Sequence, residues 1–538
     1  MSSNSQRTTS QTDLDILRKL SIATGGFSQP ELLYDRLQEL TKAHKDLEPP
    51  SSLLLKTLDP STCHRKFLWS FALGIPIQSS KKIEKTALET KHRDERQVEL
   101  DVNRSFVYYP KHVPDQVKNR LRETLNHIIV TILRRFPKLN YFQGYHDIVS
   151  IFLLNFLDLE NLPVGSLNEE GHKGKEKQEE KGDDDDNQQS PGNATMDKDL
   201  GLLEETVQKF TLHRIRDSMT SDLSPIMGYL RFTQAILKQE KPGFASLISQ
   251  TSSLPLFSLS WILTLTSHDL TSLEVVSRLF DFLLCHPPVM ICYLACAICL
   301  VKTDEVDKLV MESEAEGSEL DLDMIHFVMS SLPPLTMDQP NQHITKSEAQ
   351  LTSRHDKEKN AVKEACDESE DPPKVLQHDP SEDSSVVDWR PVDEFGAEIT
   401  SATTDGDERP TTKQEQQHCS KRGVWIEEMI QSALALYRKH EPIDGRLELD
   451  KIMGPKSCIH TWRDSQAERL TDQDAEQILD LPLRQIVLPM AAAKPRKKSK
   501  LHIKFSQLKK LVKKKVLGNS RGRHHQLVCM YTGFYLSE

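Results

Sequence analysis

Three short segments of this chain place chemically capable side chains at meaningful spacings. In Arg65-Lys66-Phe67-Leu68-Trp69, the arginine and the tryptophan fall on one face of a helix. In Val98-Glu99-Leu100-Asp101-Val102-Asn103-Arg104, Asp101 lies one turn before Arg104, where its carboxylate can brace a guanidinium. Tyr141-Phe142-Gln143-Gly144 sits between two helical patterns, with a glycine that permits an unusual backbone path. Taken singly, each has a commoner explanation: a surface ion pair, a core tryptophan, an interhelical turn. Their order along the chain carries more than any one of them.

Other arrangements promise less. His146 and Asp147 could suggest acid–base work, but neighbours at i and i+1 on a helix do not face each other, so a solvated or capping role is expected. Cys292, Cys296 and Cys299 share a helical face, yet their neighbours are apolar and no histidine or fourth thiol stands at zinc spacing. They are expected to be small buried hydrophobes. Phosphate-loop, dinucleotide-fold, zinc-protease and nucleophile-elbow signatures are absent from the sequence.

In their order and spacing the three segments resemble the TBC domain family of GTPase-activating proteins for Rab-type small GTPases. The family pattern is R-x-x-x-W, then I-x-x-D-x-x-R, then Y-x-Q-G, and the departure here is Val98 for isoleucine. Trp261 and Asp281 also look like family positions, and the run from Tyr141 to Leu157 looks most like the ER-to-Golgi branch. Members of that branch resemble proteins with a C-terminal membrane anchor, whereas this sequence ends in a basic tail. The resemblance implies an all-α, two-lobed fold and an activator of a GTPase that is not itself a nucleotide hydrolase. It also implies two catalytic side chains delivered in trans to the GTP-bound partner: Arg104 as a cationic finger and Gln143 as an amide that orients water. Asp101 would hold Arg104, Tyr141 and Gly144 would shape the loop presenting Gln143, and Arg65 with Trp69 would support the wall. The chain then needs no metal or cofactor of its own, since GTP and Mg²⁺ are carried by the partner. The alternative is a Rab-binding scaffold on the same fold that does not accelerate hydrolysis; the joint presence of Arg104 and Gln143 favours activity.

The elements that must position these residues are helical. Val117, Leu121, Leu125, Ile128 and Ile132 form a stripe between Pro114 and Phe136, which Pro137 ends. A second apolar segment covers 145–157. Further helical patterns cover 200–212, 227–237, 254–265, 273–284, 289–301 and 322–332, with few alternating stretches, so the class is all-α. Residues 1–52 read as a helical extension and 53–335 as the main domain. Residues 161–199 read as a disordered acidic insertion, 336–420 as a disordered linker and 421–442 as a helix docking back on the domain, its stripe starting at Val424. Residues 443–493 read as irregular and 494–538 as a basic amphipathic tail.

Composition agrees with a mixture of one apolar domain and long solvated segments. Of 538 residues, 37% are hydrophobic against 28% charged, with 28 prolines. The longest apolar run, 289–301, falls short of the roughly 20 residues a spanning helix needs, and no signal-peptide core opens the chain. A cytosol-facing soluble protein is expected, possible peripheral contact with ER or Golgi membranes included. Net charge is −11, but Lys494 to Arg523 holds thirteen Lys and Arg and no acid. A basic amphipathic helix there suits an anionic membrane surface and equally a solvated tail or a nuclear-import patch, while the acidic body preceding it disfavours nucleic acid.

Overall fold

The computed structural model describes residues 10–43, 48–61, 63–75, 90–158, 191–339, 423–460 and 470–489, with side chains in the 191–339 stretch described from 197. Within these, the helices are α1 (Gln11–Ser21), α2 (Leu33–Ala43), α3 (Ser52–Thr57), α4 (Arg65–Ala72), α5 (Glu95–Val102) and α6 (Asp115–Arg135). There follow α7 (Tyr145–Phe156), α8 (Pro191–Arg214), α9 (Ser224–Glu240), α10 (Pro242–Thr251), α11 (Leu259–Leu263) and α12 (Leu273–Cys285). The remainder are α13 (Met290–Val301), α14 (Thr303–Glu316), α15 (Leu322–Ser330), α16 (Ile426–Lys439), α17 (Leu449–Ile452) and α18 (Asp472–Gln477). Two short strands, β1 (Leu335–Thr336) and β2 (Val424–Trp425), complete the regular structure. The class is all-α.

Helix α6 shows how periodicity becomes packing. Leu121, Leu125, Ile128 and Ile132 are buried as the stripe predicts, while Asp115 opens the helix and Arg134 and Arg135 close it, each sign suited to the dipole end it occupies. Pro114 caps the helix in an extended conformation and does not occupy its first turn. Around α6 gather α5, α7 and α8, with α4 laid across α7 and α8. A second group comprises α9, α10, α11, α13, α15 and α16, with α13 wedged between α9 and α16. Helix α12 joins the groups, touching α1, α4, α7 and α16, and is buried from Val275 to Cys285 although it carries Arg278 and Asp281.

Those two charges are matched. Asp281 accepts from Arg65 Nε (2.9 Å) and Nη2 (3.1 Å), from Trp69 Nε1 (2.8 Å) and from the Phe27 amide (3.0 Å). Arg278 donates to both oxygens of Glu427 at 2.8 and 2.7 Å, and Glu427 also takes the Gly25 amide at 2.8 Å. At the next position, Gly26, a Cβ would lie 2.7 Å from the Arg278 guanidinium, and φ is +49°. A residue without a side chain is needed there. The turn after α1 is therefore closed over α12 by the same buried charges that anchor α16.

Several expectations change. The pattern over 254–265 is not one helix: a 3₁₀ turn at Leu256–Ser258 leads into the five residues of α11, and the chain then enters the left-handed region at Leu265 (φ +51°) and Thr266 (φ +68°). Val424 and Trp425 belong to a strand and not to the following helix, pairing in parallel with Leu335 and Thr336. The two chain ends bracketing 340–422 are thus held side by side. Helix α8 begins at Pro191, so residues 191–199 are helical where disorder was expected, and Asp199 is fixed by Lys66 at 2.7 Å. The remainder of that insertion, 340–420 of the linker and the basic tail lie outside the described residues. Helices α10 and α14 had no counterpart in the sequence pattern. Cys292, Cys296 and Cys299 are buried, and burial pushes the Cys292 and Cys299 thiols up to about 12.

Candidate functional site

The second and third motifs meet at the ends of α5 and α7. Asp101 lies in the last turn of α5 and is fully buried; Arg104 follows the helix with its side chain 49% exposed. One Asp101 oxygen takes Arg104 Nη2, and also Gln97 Nε2 at 3.1 Å. The other oxygen takes the Tyr141 hydroxyl at 3.0 Å. A single carboxylate therefore ties the arginine to the segment that carries Gln143. Two further links reinforce this joint: the Tyr141 amide donates to Asp94 Oδ2 at 2.9 Å, and Arg93 Nη2 donates to Asn140 Oδ1 at 2.6 Å. Beyond Arg104, Phe106 turns the chain with φ +64° and is itself buried, which leaves Val107 69% exposed.

The Gln143 turn is shaped by its glycine. Gly144 caps α7 at φ +109°, and a Cβ there would lie 2.6 Å from Thr264 Cγ2. Both the backbone conformation and the approach of Thr264 demand glycine. Phe142 is buried against Tyr145, with ring centroids 5.8 Å apart, while Gln143 is half-buried and makes no side-chain hydrogen bond among the described residues. On Arg104, likewise among the described residues, Asp101 takes the one side-chain hydrogen bond, leaving most of the guanidinium fork for a partner.

Arg65 and Trp69 occupy a different place. Besides Asp281, Arg65 reaches Asn155 Oδ1 and Ser28 Oγ, each at 3.2 Å, and Trp69 packs edge-on against Phe152 at 5.4 Å. Neither hydrogen-bonds Arg104 or Gln143. Both fix α7 near its C-terminal end, and Gln143 precedes its N-terminal end. Trp261 is fully buried in α11 beside Phe257.

Sequence reasoning missed a second layer. His146 is buried and not solvated, its Nδ1 3.0 Å from the Tyr141 hydroxyl, and its Nε2 approaches Asp147 Oδ1 at 3.4 Å. The i, i+1 argument fails because both lie in the first turn of α7, where side chains lean back past the helix end instead of onto a preceding turn. Asp147 is also bonded to His268 Nδ1 at 2.7 Å. Burial pushes the Asp147 carboxyl up, but His146, His268 and Arg104 outweigh it and hold the group below the usual value. Burial pulls His268 down, yet Asp147 and Asp269 prevail and raise it to about 8. Among the described residues no group of three or more His, Cys, Asp or Glu is placed to hold a metal ion.

A family model described as the Rab-GTPase-TBC domain matches residues 62–306, which contain Arg104, Gln143 and the residues that brace them. Over those residues the chain is similar to the Rab-GTPase-TBC domain family. Human TBC1 domain family member 20 is 28% identical over 269 residues, covering 50% of this chain and 54% of that protein. The GTPase-activating protein GYP8 of Saccharomyces cerevisiae is 32% identical over 219 residues, covering 39% of this chain and 37% of that one. The GTPase-activating protein gyp10 of Schizosaccharomyces pombe is 24% identical over 270 residues, or 50% and 59%. The chain thus spans about half the length of the curated relatives it matches. Among solved structures, the Ypt/Rab-GAP domain of Gyp1p is matched over 60% of this chain and 93% of that one at 12% identity, with a TM-score of 0.34 that is too low to bear on the site. Among the described residues no helix is long and apolar enough to cross a membrane.

Proposed function

We propose that this chain is a GTPase-activating protein for a Rab-type small GTPase in its GTP-bound form, with Arg104 and Gln143 supplied in trans, and that it serves vesicle traffic between ER and Golgi. The observation that carries the reading is the shared Asp101 carboxylate, which joins an outward-reaching arginine to the turn holding an unengaged glutamine. Relatives named GTPase-activating proteins support the reaction class.

Phosphoryl transfer from GTP to water leaves little covalent work for a protein. It is accelerated by orienting the water and stabilising charge that spreads over the β–γ bridge and the γ-oxygens. Nucleotide and Mg²⁺ belong to the partner in this reading. Arg104 adds a planar fork of donors that stays charged at any physiological pH, and such a finger is worth about 10³ to 10⁵ in rate. Asp101 limits its rotamers before docking, so less entropy is lost on insertion. Gln143 accepts a hydrogen bond from the attacking water at its carbonyl oxygen and donates one through its amide N–H, the task the partner's own glutamine otherwise performs.

Stimulated GTP hydrolysis across a panel of Rab-type GTPases tests this. At least one should be accelerated by the wild-type chain and by neither Arg104→Ala nor Gln143→Ala. Binding without acceleration would identify a scaffold instead.

A further inference from the structure

One unbroken series of polar contacts crosses the site. It begins at His268, passes through Asp147 at 2.7 Å to His146 at 3.4 Å, continues to the Tyr141 hydroxyl at 3.0 Å and to Asp101 at 3.0 Å, and ends on Arg104. Resting on the GTPase-activating reading, we propose that His146 is a positioning residue that holds Arg104 and the Gln143 turn in one geometry, with Asp147 and His268 as its backing.

The contacts themselves define the role. The Tyr141 hydroxyl has one proton, and Asp101 Oδ2 takes it. Burial, followed by the neighbouring Asp101 charge, pushes the Tyr141 phenol well above its ordinary value, so that proton stays in place. His146 Nδ1 lies 3.0 Å from the same hydroxyl oxygen, its role there set by the tautomer of the ring. The Gly144 amide donates to the same nitrogen at 3.4 Å, so the imidazole also holds the cap of the Gln143 turn. Asp147 faces the opposite ring nitrogen and fixes the ring plane, as an orienting carboxylate does for other working histidines.

The backing is itself over-determined. Thr266, a β-branched residue, stands at φ +68° and Leu265 at φ +51°, and such conformations persist where surrounding structure enforces them, most often at functional sites. Here the enforcing contacts all point at the turn. The Thr264 methyl would strike a Cβ on Gly144, the Tyr109 hydroxyl donates to the Ser267 carbonyl at 3.1 Å, and His268 grips Asp147. The charged groups facing this imidazole are Asp101 from α5 and Asp147 from α7, with His268 and Arg104 in the next layer.

Two amide substitutions separate the ring nitrogens. The side-chain amide of asparagine can stand in for Nδ1 as donor or acceptor, and that of glutamine for Nε2. In the full chain, His146→Asn should keep kcat for stimulated hydrolysis within about threefold of wild type. His146→Gln should lower it by about 10²-fold, the scale of a one-ångström misplacement, with KM for the GTPase unchanged. Hydrogen–deuterium exchange of the protein alone should show faster exchange over 102–106 and 141–147 in His146→Gln, with α13 unaltered as the folding control. Equal effects of the two substitutions, or unaltered exchange over 102–106, would overturn the assignment. Should the wild-type chain accelerate no Rab-type GTPase, the functional reading alone falls, and the exchange comparison still decides the role of His146.

Discussion

Gly144→Ala probes the site through backbone geometry alone. The position stands at φ +109°, and the added methyl would lie 2.6 Å from Thr264 Cγ2. A left-handed Cβ costs roughly 1–2 kcal/mol, and forcing a methyl into a closed contact adds about 1–3 kcal/mol. The substitution should therefore destabilise the fold by about 2–5 kcal/mol, or push the Gln143 turn aside and forfeit stimulated hydrolysis. Thr264→Ser separates the two costs, because it deletes the offending methyl but keeps the hydroxyl bond to the Ser260 carbonyl at 2.8 Å. Urea unfolding of the wild type, both single variants and the double variant closes a thermodynamic cycle. The double variant should recover the steric share, a coupling of about 1–3 kcal/mol, and leave the backbone share unrelieved. Coupling below about 0.5 kcal/mol, the ordinary error of additivity, would refute the claim that Thr264 shapes this turn.

Other outcomes follow from the same structure. Asp281→Asn strips two guanidinium donors, the Trp69 indole and the Phe27 amide of a buried charge, and should cost about 3–5 kcal/mol, read as a lowered unfolding temperature. His268 titrates near 8 when folded against 6.5 unfolded, so its pair with Asp147 stabilises fully below pH 6.5 and is lost as the pH rises through 8, a difference of about 2 kcal/mol. Replacing it in His268→Gln should flatten the stability profile across that window. Val107 is 69% exposed three residues after Arg104, and a GTPase docked on Arg104 as proposed would cover it; Val107→Asp should then raise KM for the GTPase at least about tenfold with kcat little changed, since burying an unpaired carboxylate weakens docking.

Local pattern and nearby spacing made part of this legible. The α6 stripe and the Asp101–Arg104 brace relate residues about one helical turn apart, which helical geometry fixes, whereas the glycine of the Gln143 turn was legible only as a permissive position whose need is set by the distant Thr264. Long-range pairings were opaque. Nothing in the spacing tells that Arg65 and Trp69 serve Asp281, more than two hundred residues away, or that Leu335 and Val424 pair across the linker. The apolar pattern over 254–265 promised a long helix because hydropathy does not register backbone handedness, and the left-handed break at Leu265 and Thr266 is enforced by tertiary contacts at the site. Helix α14 escaped for the opposite reason: its face is mostly solvated, with Met311 67% exposed, so little of the helical period is written in apolar residues.

The central claim is that this chain brings its own water-orienting amide as well as a cation. The direct measurement is single-turnover GTP hydrolysis by the cognate Rab-type GTPase whose own catalytic glutamine has been replaced by alanine. The wild-type chain should still accelerate that GTPase by about 10³-fold or more, and Gln143→Ala should abolish the acceleration. No acceleration by the wild-type chain of a GTPase it stimulates when intact, or acceleration that survives Gln143→Ala, would contradict the account.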